Sequence, residues 1–169
     1  VLFRSQPALF VRSLAQGLHV SGGAEIYEDS PVVELKKDGG AWVAKTQKGS
    51  VKAPKVILAV NGHIQSFGFF KRRLMHVFLY ASMTRALTSD EVQKLGGEPT
   101  WDFVPADPLG STVRRVSGVG GDRILVRNRF HYSAKLEAEE RHVAWAAKDH
   151  DKSFDARFPM LKGVEMEYR

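Results

Sequence analysis

No cysteine occurs among the 169 residues. That excludes a disulfide framework, a thiolate nucleophile and a cysteine zinc site, and it agrees with a reducing, cytoplasmic setting. Long apolar runs are lacking too. Stretches such as Val56–Val60 and Val77–Tyr80 are far too short to span a bilayer, so no membrane span is expected. The opening Val1-Leu2-Phe3-Arg4 has neither the apolar core nor the small-residue cleavage site of a signal peptide, and it has no starting methionine. It reads as a stretch whose native N-terminus is out of view. His142 and His150 do not fall at the i, i+4 spacing of a helical ligand pair, so no metal site is expected. No Ser-His-Asp signature is present either. The sequence shows no internal repeat and no low-complexity segment.

What remains is an ordinary globular balance, 43% hydrophobic and 26% charged. The length suits one domain, or one domain with pieces of a neighbour. The formal net charge is +6. It is spread along the chain, with Lys71-Arg72-Arg73 as its densest run, and reads as solvated surface, an anionic substrate being the next reading.

Gln6 to Val20 carries Val11, Leu14 and Leu18 at helical spacing, with Pro7 suited to the first turn and Gly22-Gly23 as the stop, which predicts a helix. Short β-type runs follow at Ala24–Tyr27 and Pro31–Leu35. Asp38-Gly39-Gly40 predicts a hairpin turn, Ala41–Thr46 its return strand, and Ser50–Ala53 another short run. Lys55–Val60 is apolar without alternation after its first residue, as in a strand buried on both faces of an α/β sheet, and it ends in the turn Asn61-Gly62.

The centre reads as a second unit. Arg73–Leu87 is rich in β-formers, and Thr88-Ser89-Asp90-Glu91 resembles a helix start. Further strands are predicted at Trp101–Ala106, Ser111–Ser117 and Arg123–Arg127. An amphipathic helix is predicted over Leu136–Phe154, with Leu136, Val143, Ala147 and Phe154 inward, and a last strand over Val164–Tyr168. The glycine-rich stretch Ser117–Asp122 lacks dinucleotide-loop spacing and reads as a turn.

Three landmarks in order carry a resemblance. They are Glu28-Asp29-Ser30-Pro31-Val32-Val33-Glu34-Leu35, then Val51–Gly62, then Thr112-Val113-Arg114-Arg115 with Gly121–Val126 shortly after. With the closing Phe158–Arg169 they resemble the D-amino-acid-oxidase-like flavoproteins, the group that includes glycine oxidase, sarcosine oxidase and gamma-glutamylputrescine oxidoreductase. The likeness runs from about Pro7 to Arg169. The family's strand–GxGxxG–helix unit is not among these residues, so the chain reads as an internal fragment that does not retain FAD well and is inactive alone.

The resemblance implies an α+β fold. An antiparallel or mixed sheet with flanking helices would form a substrate domain over 63–158. Incomplete pieces of an FAD-binding α/β domain would cover 1–62, and 159–169 would begin the return to it. It implies oxidation of a C–N bond in an amine or amino acid, with hydride passing to FAD. Val32 would touch the adenine end of FAD through its backbone, or be a buried strand valine. Ala59, Asn61 and Gly62 would form the strand-end turn beside the cofactor, where small residues avoid collision. His63 would face the flavin or lie exposed.

For the substrate, Arg114 and Arg115 are adjacent on a strand, so only one can enter a given pocket, where it could clamp a carboxylate. Arg127 stands where many relatives carry small residues. Tyr80 lies in a strand that tends to line the active site, or is a core aromatic; His131 and Tyr132 are weaker cases of the same kind. No acid–base residue is assigned, because the cofactor accepts the hydride and the protein orients the substrate. The rival reading is a basic binding module for an anionic partner, without redox activity. It would lose affinity steeply with salt, whereas the oxidoreductase reading expects no nucleic-acid partner.

Overall fold

The computed structural model describes residues 7–107, 109–134 and 136–169. The chain divides into two compact units, the first within Ser5–Leu74 and the second within Met75–Arg169. The expected α+β class holds, and both sheets are antiparallel.

In the first unit, α1 (Pro7–Val20) carries no buried residue. Three strands follow as a meander in the order β1-β2-β3: β1 (Glu34–Asp38), β2 (Ala41–Lys45) and β3 (Ser50–Ala53). The β1–β2 hairpin closes on Gly39 and Gly40, at φ 54° and 86°. A two-residue turn matched to strand twist needs positive φ at both central positions, and glycine supplies it without steric cost.

Two expected strands are not formed. Ala24–Tyr27 is irregular, and Lys55–Val60 is an irregular segment in which Ile57 is 93% exposed. A strand of that apolar kind needs neighbours that bury both of its faces, as in a parallel sheet, and neither antiparallel sheet of the described residues includes it. Asn61–Phe67 is a 3-10 helix, entered through Asn61 at φ 48°.

The second unit is a five-stranded sheet, ordered β5-β6-β7-β4-β8. Its strands are β4 (Val77–Thr84), β5 (Trp101–Phe103), β6 (Thr112–Val116), β7 (Arg123–Tyr132) and β8 (Met166–Tyr168). β4 is shorter than the β-rich run Arg73–Leu87, and β7 runs five residues beyond the expected Arg127, through a bulge. The β6–β7 turn holds Gly121 at φ 82°, where an added Cβ would lie 3.0 Å from that of Ala86.

α3 (Glu140–Arg157) crosses β7 and β4. It buries Ala146, His150 and Phe154. Of the expected inward residues only Phe154 is fully buried; Val143 and Ala147 are half-buried, and Leu136 precedes the helix at φ 58°. The core joins Val113, Ile124 and Val126 of the sheet to Phe154, Phe158, Leu161 and Val164.

Between β4 and β5, α2 (Ser89–Leu95) starts with a capping box: Glu91 N–H donates to Thr88 Oγ1, and Thr88 N–H to Glu91 Oε2. Arg85 adds a two-pronged ion pair to the same carboxylate at 2.7 and 2.8 Å. Together the Arg85 guanidinium and the Thr88 N–H hold Glu91 down to about 2 from its ordinary 4.5. A depressed carboxylate stabilises the fold fully above the unfolded value and loses that contribution as pH falls through the folded one. Glu91→Gln is expected to cost about 2 kcal/mol at neutral pH, once solvent screening of the partly exposed Arg85 is allowed for. It should also flatten stability between pH 4.5 and about 2, as read by urea denaturation across that range.

Candidate functional site

Alternation along the strands gives the second sheet two unlike faces. Val113 and Arg115, Ile124, Val126 and Asn128, and Tyr80, Ser82 and Thr84 are buried on the face that α3 covers. Their neighbours Thr112 and Arg114, Leu125 and Arg127, and Leu79 and Ala81 take the other face and are at least partly exposed. The four expected substrate residues therefore separate into pairs. Arg114 and Arg127 share the face opposite α3, while Arg115 and Tyr80 are buried on the other face, Arg115 beside the α2 exit.

Each arginine is fixed by its register. Arg114 pairs across the ladder with Asp102, and its guanidinium forks onto that carboxylate at 2.6 and 2.7 Å. Arg115 is 4% exposed. It donates to Asp122 at 3.0 and 3.2 Å and to the carbonyls of Gly96 and Glu98 at 2.7 and 3.0 Å. Those bonds tie the α2 exit and the β6–β7 turn to the sheet. Arg127 pairs with Thr112 on β6 and with Ala81 on β4. It donates one bond, 3.1 Å, to Thr112 Oγ1, and it has no carboxylate partner among the described residues. Its guanidinium is exposed and retains donors for a ligand.

Tyr80 Oη and His131 Nδ1 are hydrogen-bonded at 2.8 Å, and the rings stack. Burial raises the Tyr80 phenol above its ordinary 10.0, and the Glu139 charge adds to the shift. His131 also stacks on His142, with ring centroids 3.9 Å apart.

Beneath α3, Ser82 Oγ and His150 Nδ1 are hydrogen-bonded at 2.7 Å. Burial lowers the His150 imidazole below its ordinary 6.5. Asn128 Nδ2 donates to Ser111 Oγ, while Asn128 Oδ1 is enclosed without a partner among the described residues. These enclosed groups are placed for packing rather than for contact with substrate.

The sequence reading missed His150, Asn128 and the aspartates that decide each arginine's role. Two signals were present. His150 lies four residues from Ala146 and from Phe154, and Asp102 alternates with Trp101 and Phe103 on β5.

The cofactor candidates lie in the first unit. Val32 lines a groove of about 570 Å³ with Tyr27, Ser30, Ala44, Thr46 and Val51. Val32, Val51 and Tyr27 are exposed, and hydroxyls of Ser30 and Thr46 flank them. Apolar walls with a few hydroxyls and the Lys48 ammonium suit the adenine end of FAD. Ala59 and His63 are exposed and Gly62 is half-buried, in the irregular segment and the 3-10 turn that follows it. The residues present thus fit one end of a dinucleotide. Among the described residues, no cluster of His, Cys, Asp or Glu could hold a metal ion, and no helix is long and apolar enough to cross a membrane.

The family model of the FAD dependent oxidoreductases, DAO, matches residues 3–168, and the chain belongs to this family. No curated protein matches it.

Proposed function

We propose that the protein carrying this chain oxidises a C–N bond of an amine or amino acid, and that Arg127 receives the substrate's carboxylate. Membership of an FAD-dependent oxidoreductase family supports the redox class. The observation that supports the substrate is the state of Arg127 on the exposed sheet face. Arg114 is committed to Asp102 and Arg115 is enclosed, whereas Arg127 makes one bond to a hydroxyl. A planar guanidinium with free donors binds a carboxylate through two parallel hydrogen bonds.

The chemistry that bound FAD would supply is hydride acceptance from the carbon beside the substrate nitrogen. Val32 and its groove would hold the adenine end. Arg127 would orient the substrate by its carboxylate, with Thr112 fixing one edge of the guanidinium. Ala81, its small cross-strand neighbour, leaves room beside the charge.

The first test is the absorption spectrum of the full-length gene product. A bound flavin bleached by D- or N-methyl amino acids supports the proposal. A colourless, folded protein overturns it, and salt-sensitive binding of nucleic acid would then favour the basic module. Within a bleachable protein, Arg127→Gln is expected to lower kcat/KM for carboxylate-bearing substrates about 10- to 100-fold. That is the range of a charge-assisted hydrogen bond. Most of the loss should fall in KM, and an amine lacking a carboxylate should be unaffected.

A further inference from the structure

The β4–β7 ladder breaks at one place. Leu79 faces Phe130 and the next residue, Tyr80, faces Asn128, so Arg129 is an extra residue without a partner. Its φ of 62° is left-handed, a region that non-glycine residues seldom occupy. Two contacts from α3 hold it there. Asp149 accepts two hydrogen bonds from its guanidinium at 2.8 and 2.9 Å, and the guanidinium lies over the Trp145 ring at 5.1 Å.

The extra residue changes which side chains share a face. In an unbroken strand, Arg129 and His131 would follow Arg127 on its face. With the bulge, Phe130 and Tyr132 do so instead, opposite Leu79 and Val77. These four apolar residues are each at least 43% exposed, and they begin two strand residues, about 7 Å, from the Arg127 position.

We infer that the Arg129 bulge aligns an apolar wall of Leu79, Phe130, Val77 and Tyr132 with the Arg127 cation, making a subsite for a substrate that carries a carboxylate at one end and a bulky apolar group at the other. The inference rests on the oxidoreductase reading proposed above and narrows its substrate class. Charge complementarity selects the occupant, since a wholly apolar partner would strand Arg127 and a small acid would leave the wall uncovered. Arg129, Asp149 and Trp145 are positioning residues, because their contacts lie on the α3 side of the sheet.

Calorimetric titration of the full-length protein with 3-phenylpropionate, acetate and 3-phenylpropan-1-ol tests it. The wild type should bind 3-phenylpropionate at least about tenfold more tightly than either other probe. Phe130→Ala and Leu79→Ala should each weaken 3-phenylpropionate about five- to tenfold and leave acetate unchanged. Both residues are exposed, so neither change threatens folding. Asp149→Ala should reduce the same preference, and Asp149→Glu should restore part of it. Deletion of Arg129 should abolish it. Phe130→Ala and Leu79→Ala proteins that bind all three probes as the wild type does overturn the inference, whatever the flavin does. A protein without flavin that keeps the 3-phenylpropionate preference overturns the oxidoreductase reading and leaves the subsite standing.

Discussion

Arg115→Met is expected to lower the unfolding free energy by about 3–5 kcal/mol, the usual effect of breaking a buried ion pair by removing one partner. The wild-type side chain satisfies the Asp122 carboxylate and the carbonyls of Gly96 and Glu98. Methionine fills similar space but donates nothing, so a carboxylate and two carbonyls lose their partner together. Urea denaturation measures the loss. The double change Arg115→Met with Asp122→Leu should recover part of it, because no enclosed charge is then stranded. If the single variant loses less than about 1 kcal/mol, Arg115 is not the tie between α2, the β6–β7 turn and the sheet.

Phe154→Ala should cost a comparable about 3–5 kcal/mol, as truncation of an enclosed aromatic does. Phe154 is 2% exposed, and its ring packs against Phe158 with centroids 5.2 Å apart. It links α3 to Ile124 and Val126 and to the Leu161 turn. Alanine would leave a void that close-packed neighbours cannot fill. Phe154→Leu keeps most of the volume and should cost less than half as much. Equal losses for the two variants would mean that the site collapses around either side chain.

Much of the fold was legible where local chemistry decides conformation. Asp38-Gly39-Gly40 names its own turn, Thr88 and Glu91 name their own cap, and Pro7 with Gly22-Gly23 bounds α1. Legibility fails where the outcome depends on distant partners. Lys55–Val60 has the composition of an enclosed strand, but composition cannot supply the neighbours that a parallel ladder needs. The break at Arg129 is equally silent. Nothing in Asn128-Arg129-Phe130 marks it, and the contacts that hold it come from Asp149 and Trp145 on another element.

The candidate site divides in the same way. Alternation shows that Arg114 and Arg115 must face opposite ways. Which one is enclosed was not readable, since it follows from Asp102 lying across one ladder and Asp122 lying in a turn. Arg127 stood out in the sequence only as a departure from the small residues of its relatives. Its exposure, and its lack of a carboxylate partner among the described residues, are properties of the folded sheet.

The strand order also sets a timetable for folding. β5, β6 and β7 follow one another along the chain and pair as neighbours, so short loops close them early. β4 precedes all three, yet it pairs only with β7 and β8. As the chain emerges from the ribosome, β4 waits with both hydrogen-bonding edges unfilled until β7 has been made. Its second edge closes only when Met166–Tyr168 arrives, supported by the Arg123–Glu167 ion pair. For the span of synthesis between them, β4 is the segment of the second unit most open to wrong pairing, and the place where a chaperone has most to protect.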